Sequence, residues 1–221
     1  MIRCVIFDFD GVLVESSDIK SKAFVKLFQE EGEKAAAEVL EYHLLNGGVS
    51  RFEKFKHIYK NILHKDLDIL QMKSLGRKFS EFVVDEVIKA PFVKGAKEFL
   101  EEYYRKYDIF IASGTPAEEI IDIVKRRHMT KYFKAVYGSP STKTDIAKKI
   151  LSVTKVPAEN AVFIGDALSD YEASLNTGIN FIARLNENES LFRNLACVKV
   201  RDLENLKHIF DTRFNKGKND R

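Results

Sequence analysis

The sequence predicts an α/β fold, a doubly wound parallel sheet with an α-helical unit inserted after its first strand. Three observations carry this expectation. Short runs of β-branched and aromatic residues recur along the chain, helical patterns alternate with them from about residue 93 onward, and residues 15–92 break the alternation. Runs that are apolar throughout mark strands buried on both faces, as in a parallel sheet covered by helices on either side.

The first run is Cys4-Val5-Ile6-Phe7. The others are Ile109-Phe110-Ile111-Ala112, Ala135-Val136-Tyr137, Ala161-Val162-Phe163-Ile164, Ile179-Asn180-Phe181-Ile182-Ala183 and Val198-Lys199-Val200. Helical spacing joins Phe99, Leu100 and Tyr103 before the second run, and Ile120, Ile121 and Val124 after it. It also joins Ile146, Ala147, Ile150 and Leu151 before the fourth, and Leu203, Leu206, Ile209 and Phe210 after the last. Within 15–92, Ile19, Ala23, Phe24, Leu27 and Phe28 share a helical face, with Gly32 expected as its C-cap. Asn46-Gly47-Gly48 is a breaker, and Ser50-Arg51-Phe52-Glu53 has the spacing of a capping box. Phe52, Phe55, Tyr59 and Ile62 continue the apolar stripe. Leu75, Phe79, Phe82, Val83 and Val87 predict a long helix that stops before Pro91. The expected organisation is a core of residues 1–14 and 93–214, a helical unit of 15–92, and a polar, flexible tail of 215–221.

Composition excludes several classes. The 221 residues are 45% hydrophobic and 31% charged, which is ordinary for a globular domain and unlike a disordered chain. Lys plus Arg is 36 against 33 for Asp plus Glu, a net charge of +3 with the signs interspersed. That is a solvated surface with no basic stripe for nucleic acid. No stretch has the apolar length of a membrane span, and the opening residues 1–7 meet Asp8 at once, too short and acidic at the end for a signal peptide. A cytoplasmic location is expected. Cys4 and Cys197 lie far apart and outside any C-x-x-C pair, and Cys4 reads as a buried reduced thiol. No long heptad pattern suggests obligate assembly, so a monomer is expected.

The chemistry gathers at strand ends. The first run ends in Asp8-Phe9-Asp10-Gly11, and in extended chain Asp8 and Asp10 point the same way. In a parallel α/β sheet, sites form beyond the carboxyl ends of the strands. Two carboxylates there repel each other and attract a cation, although Asp and Gly are also common turn residues. The second run leads into Ser113-Gly114-Thr115-Pro116, a hydroxyl and a glycine before a helix start, which suits an anion. The fourth leads into Gly165-Asp166-Ala167-Leu168-Ser169-Asp170, with two more carboxylates at a helix start. Lys143 opens the helix before that strand. Each alone reads better as a simple cap or a surface residue.

Taken together and in order, Asp8-Phe9-Asp10-Gly11, Ser113-Gly114-Thr115, Lys143 and Gly165-Asp166-x-x-x-Asp170 resemble the four motifs of the haloacid dehalogenase-like superfamily. The resemblance spans nearly the whole chain, with 15–92 in the place of that family's helical cap on a Rossmann-like core. It implies a Mg²⁺-dependent enzyme transferring a phosphoryl group from a small phosphorylated metabolite through an aspartyl-phosphate. By position, it makes Asp8 the nucleophile and Asp10 the general acid/base. It makes Ser113, Gly114 and Lys143 phosphate binders, and Asp8, Asp10, Asp166 and Asp170 the metal site. Such a set suits a phosphate monoester, because a cation and an ammonium offset the repulsion between carboxylate and phosphate.

Asp10 argues against the dehalogenase and phosphonate-cleaving branches, which lack an acid there. The helical unit and Gly48-Val49-Ser50-Arg51 resemble the cap of the phosphoglycolate phosphatase and β-phosphoglucomutase branch. Lys20 stands where the mutases carry a histidine, which favours a phosphatase over a sugar-phosphate mutase. Lys143 is followed by Thr144 where many relatives have proline. Arg51, and less so Lys20, are the candidate specificity residues of the cap. His43, His57, His64, His128 and His208 show no ligand spacing and are assigned no role. A non-catalytic binding protein on the same fold is the rival of another class, and the intact acidic motifs speak against it.

Overall fold

Cys4–Phe7 forms strand β1, and all four residues are buried. Such a strand needs a neighbour on each edge and a layer on each face. The computed structural model, which describes residues 1–186 and 189–214, supplies both; the expected tail at 215–221 lies outside the described residues. The other strands are β2 (Asp108–Pro116), β3 (Ala135–Ser139), β4 (Ala161–Gly165), β5 (Asn180–Arg184) and β6 (Val198–Val200). They form one sheet in the order β3-β2-β1-β4-β5-β6, and all paired neighbours are parallel. The chain winds outward from β1 to β3, then crosses back to β4 on the other side of β1. Strands leaving β1 in opposite directions open a crevice beyond the carboxyl ends of β1 and β4.

The two-residue period of the strands divides the core. Val5, Phe7, Ile109, Ile111, Val162 and Ile164 face one layer, and Cys4, Ile6, Phe110, Ala112, Ala161 and Phe163 face the other. Between β1 and β2 the chain forms α1 (Ser17–Phe28), α2 (Glu33–Leu45), α3 (Arg51–His57, extended by a π-helical turn at Ile58–Ile62) and α4 (Ile69–Lys89). Phe24, Phe28, Phe55 and Phe79 fill the centre of this insertion, with Phe24 and Phe79 ring centroids 4.8 Å apart. This cluster is continuous with the first core layer, which α5 (Ala96–Tyr103) and α6 (Ala117–Arg126) cover. On the opposite layer, α7 (Lys143–Thr154) contributes Ile146, Ala147 and Ile150, and α8 (Leu168–Thr177) contributes Ala173. Finally, α9 (Leu206–Ile209) returns Leu206 to the first layer.

The two connections to the insertion run side by side. Val14 bridges Phe92, Glu15 N–H donates to the Pro91 carbonyl at 3.0 Å, and Val93 N–H donates to that of Leu13 at 3.0 Å. Arg127, just past α6, donates from Nη1 to the carbonyls of Val87, Ile88 and Ala90, closing the end of α4 that no further turn satisfies.

Local expectations differ in three places. Helix α1 stops at Phe28, and Gly32, at φ 98°, closes a 3₁₀ turn at Gln29–Glu31 rather than α1 itself. Ser50 makes no side-chain cap hydrogen bond, and Glu53 accepts from Lys56 instead. The capping box of this region lies at Asp68 and Gln71, where each side chain accepts from the other's backbone N–H. The last helical pattern gives only the single turn of α9, continued as a π turn at Phe210–Phe214.

Candidate active site

Parallel register brings the strand ends together. Phe7 pairs with Ile111 of β2 and Ile164 of β4, so the next residues of all three strands emerge side by side. Asp8 is buried at 3% exposure, and its backbone N–H donates to the Ile164 carbonyl at 2.9 Å. Lys143 opens α7 and is buried too. Its Nζ donates to Asp8 Oδ2 at 2.8 Å and to Asp170 Oδ1 at 2.6 Å. Asp170 is fully buried, and its Oδ2 accepts from the backbone N–H of Ala167 at 3.1 Å, which pins it to the start of α8. Asp166 Oδ2 accepts from Asn186 Nδ2 at 2.9 Å and Ser17 Oγ at 3.4 Å. Gly11, at φ 72°, lies so close to Asp166 that a β-carbon there would collide with its carboxylate.

Asp8, Asp166 and Asp170 each offer a carboxylate oxygen within 4.8 Å of the others. Lys143 pairs with Asp8 and Asp170 while Asp166 accepts from the neutral Asn186 and Ser17, so the cluster carries an excess of negative charge. Burial and then the field of Asp8 raise the Asp166 carboxyl. Burial also raises that of Asp170, against the pull of Lys143. Lys143 is held charged: burial disfavours its ammonium, but Asp170 and Asp8 outweigh that and raise it. An oxygen-rich, under-compensated cluster fits a hard divalent cation.

A pH dependence follows. A carboxyl raised in the folded state takes up a proton that the unfolded chain has already lost. Through Asp166, stability of the metal-free protein should therefore fall as pH climbs from 3.8, the ordinary value, toward about 7, and the raised Asp170 acts in the same direction. Added Mg²⁺ should recover stability, and more at pH 8 than at pH 5. Thermal unfolding at both pH values with and without Mg²⁺ measures this, and a Mg²⁺ shift that is no larger at pH 8 would contradict it.

Asp10 stands apart from this cluster. Its carboxylate accepts from Ser16 Oγ at 2.7 Å, from Thr115 Oγ1 at 3.2 Å and from Lys20 Nζ, and Lys20 also donates to Thr115 Oγ1 at 2.7 Å. Burial alone would raise the Asp10 carboxyl, but Lys20 and these hydrogen bonds outweigh it and hold it below the ordinary value. Grouping Asp10 with the other three as carboxylate ligands is thus not the arrangement found: its oxygens are committed to Lys20, Ser16 and Thr115.

Ser113 is buried, and its Oγ accepts from the backbone N–H of Thr115 at 3.1 Å, so the hydroxyl serves its own loop. Gly114 and Thr115 instead face a cavity of about 810 Å³ that also exposes Asp8, Asp10 and Asp166. The insertion forms the opposite wall. Gly48, at φ 71°, packs so tightly on the core that a β-carbon would strike Ser169 and Lys143, and one on Gly114 would strike the Gly48 carbonyl. Ser169 Oγ donates to the Gly47 carbonyl at 3.0 Å.

The two basic residues singled out in the insertion exchange importance. Lys20 lines the cavity and is bound to Asp10 and Thr115. Arg51 lines the cavity, but its guanidinium is already bound: it pairs with Glu119 of α6, donates to Ser80 Oγ at 3.0 Å and lies 4.6 Å from the Phe79 ring centroid. It ties the insertion to the core rather than reaching for a ligand. Removing one partner of a buried ion pair costs about 3–5 kcal/mol. Arg51→Ala and Glu119→Ala are each expected to destabilise on that scale, and the double variant by clearly less than their sum. Strict additivity in denaturant unfolding would show that the pair is not coupled.

Sequence reasoning passed over Ser16, Ser17, Thr115 and Asn186, and above all His43 and Lys54. Ser16 and Ser17 follow the first acidic motif, and Thr115 ends Ser113-Gly114-Thr115. His43 and Lys54 lie on separate helices, and nothing in their spacing joins them.

Comparison with known proteins agrees with this geometry. A family model described as haloacid dehalogenase-like hydrolase matches residues 5–184. A phosphorylated carbohydrates phosphatase of Thermotoga maritima is 25% identical over 217 residues, covering 93% of this chain and 98% of its own. A phosphoglycolate phosphatase of Pseudomonas fluorescens is 21% identical, covering 82% of this chain and 68% of its own. Among solved structures, a β-phosphoglucomutase of Clostridium difficile superposes with a TM-score of 0.76 at 18% identity, over 96% of both chains. Among the described residues, no helix is long and apolar enough to cross a membrane.

Proposed function

This chain belongs to the haloacid dehalogenase-like hydrolase family, and we propose that it is a Mg²⁺-dependent phosphatase that hydrolyses a small phosphate monoester through an aspartyl-phosphate. The observation that carries this reading is the placement of Asp8: a buried carboxylate at the end of the central strand, facing the cavity, bonded to Lys143 and crowded by Asp166 and Asp170.

Asp8 attacks phosphorus, and the bond from phosphorus to the ester oxygen breaks. Lys143 and the backbone around Gly114 hold the charge on the phosphoryl oxygens. Asp10 lies beside the ammonium of Lys20, whose proton passes through Asp10 to the leaving alkoxide and is restored to the pair when Asp10 deprotonates the attacking water. Asp10 then takes a proton from water as that water attacks the phosphorus. Inorganic phosphate departs and Asp8 is regenerated. Mg²⁺ held by Asp8, Asp166 and Asp170 would supply the charge compensation that lets an anionic nucleophile approach an anionic ester. Residues 15–92 act as a cap that excludes water while the group transfers.

Turnover of p-nitrophenyl phosphate tests the reading. It should require Mg²⁺, stop with a chelator and resume when the metal returns. Absence of turnover with Mg²⁺ would favour a binding protein, whereas isomerised sugar phosphate without phosphate release would favour a mutase.

A further inference from the structure

Lys54 of α3 is a buried amine whose surroundings do not compensate it. It is 2% exposed, lines the cavity from the insertion side, and has no carboxylate within ion-pairing distance among the described residues. Its Nζ approaches His43 Nδ1 at 3.0 Å and donates to the His43 carbonyl at 3.3 Å. An ammonium has three donors, so two are used and one is left for a ligand. The His43 ring packs on Phe24 with centroids 4.3 Å apart, which fixes the pair in place. Phe24, whose ring centroid lies 5.4 Å from Lys54 Nζ, lines the same cavity with Leu40, Leu44 and Phe79, and apart from that ring face they offer an ion only apolar surface.

We propose that Lys54, held by His43, is a second anion subsite, so that the substrate is a phosphate monoester bearing a further carboxylate or phosphate at its far end. The proposal rests on the phosphatase reading for the transferred phosphoryl group, which lies with Lys143 and Asp8 on the core side. Arg51 does not serve this purpose, because Glu119 already neutralises it. Burial, followed by the fields of Lys20 and Lys143, lowers Lys54 to about 7 against a weaker upward pull from Asp166. His43 is driven down to about 2 by burial and by Lys54 and Lys20, so its ring is neutral and its Nδ1 is free to accept. A buried amine held near the point of losing its charge, beside a neutral acceptor, regains full charge when an anion arrives.

Matched esters test this. Phosphoglycolate is compared with hydroxyethyl phosphate, and propanediol bisphosphate with propanediol monophosphate. The wild type should favour the second-anion member of at least one pair by about tenfold or more in kcat/KM, mainly through KM. The pair that shows the preference tells carboxylate from phosphate. Lys54→Met should bring that ratio close to one, with Lys54→Gln as a second neutral variant, while Lys54→Arg retains most of it. A wild type indifferent to the second anion in both pairs, or a Lys54→Met loss equal for both members of the favoured pair, overturns the subsite. Thermal unfolding with each ester needs no turnover. If p-nitrophenyl phosphate is not hydrolysed, the phosphatase reading fails by itself. The subsite then stands or falls on whether the second-anion ester raises Tm more in the wild type and equally with its partner in Lys54→Met.

Discussion

Asp8→Asn is expected to abolish turnover, by at least about 10⁴-fold, while leaving the fold intact. The amide keeps the size of the carboxylate and can still accept from Lys143, so the packing at the end of β1 is preserved. It cannot act as a nucleophile, and it weakens the anionic cluster with Asp166 and Asp170. Those carboxylates also lose a repelling neighbour, since Asp8 is among the groups that raise them both. Lys143 loses the charge of one partner but keeps Asp170, which offsets that relief, so without metal the variant should unfold close to the wild-type temperature, and the stabilisation by Mg²⁺ should shrink. Phosphate release, Tm and the Mg²⁺ shift in Tm measure the three parts. Activity within tenfold of wild type would remove Asp8 from the nucleophile's role. A large drop in metal-free Tm would mean that Asp8 holds the fold rather than performs the chemistry.

Much of this arrangement was legible in the sequence, and the reasons differ by residue. Cys4 to Phe7 and Ala161 to Ile164 read as central strands because a strand buried on both faces admits no polar residue for its whole length. The first polar residues after such runs are then forced to the strand ends, which is why Asp8 and Asp166 stand out. Lys143 was found from its place at a helix start within an ordered series of motifs. The insertion was legible only as helices. A helical stripe reveals which face is buried through its apolar members, such as Phe55, Phe79 and Val83, but does not say which charged neighbours fold inward with them. Arg51 and Lys54 both do, at 5% and 2% exposure. Their partners, Glu119 and His43, are 68 and 11 residues away. Such pairings are set by how helices dock, which no local period encodes. Ser113 fails differently: its position was read from the motif, but the direction of its hydroxyl depends on the path of its own loop.

Asp10→Asn should slow hydrolysis of an alkyl phosphate by about 10²–10⁴-fold, the usual scale of general acid/base catalysis. It should slow p-nitrophenyl phosphate less, because nitrophenolate leaves without a proton. Asp10 lies outside the Asp8, Asp166 and Asp170 cluster and is bound instead to Lys20, Ser16 and Thr115. The variant should thus keep the Mg²⁺ stabilisation of the wild type, where Asp166→Asn should lose it. Lys20 supplies an independent check. Its ammonium is the strongest influence that opposes burial and holds the Asp10 carboxyl below its ordinary value. In Lys20→Met the carboxyl should titrate higher, so the acidic limb of the kcat profile, which reports loss of the base that activates water, should move to higher pH. Equal losses for alkyl and nitrophenyl esters in Asp10→Asn, together with an unmoved acidic limb in Lys20→Met, would place the proton transfer elsewhere. A lost Mg²⁺ shift in Asp10→Asn would instead return Asp10 to the metal cluster.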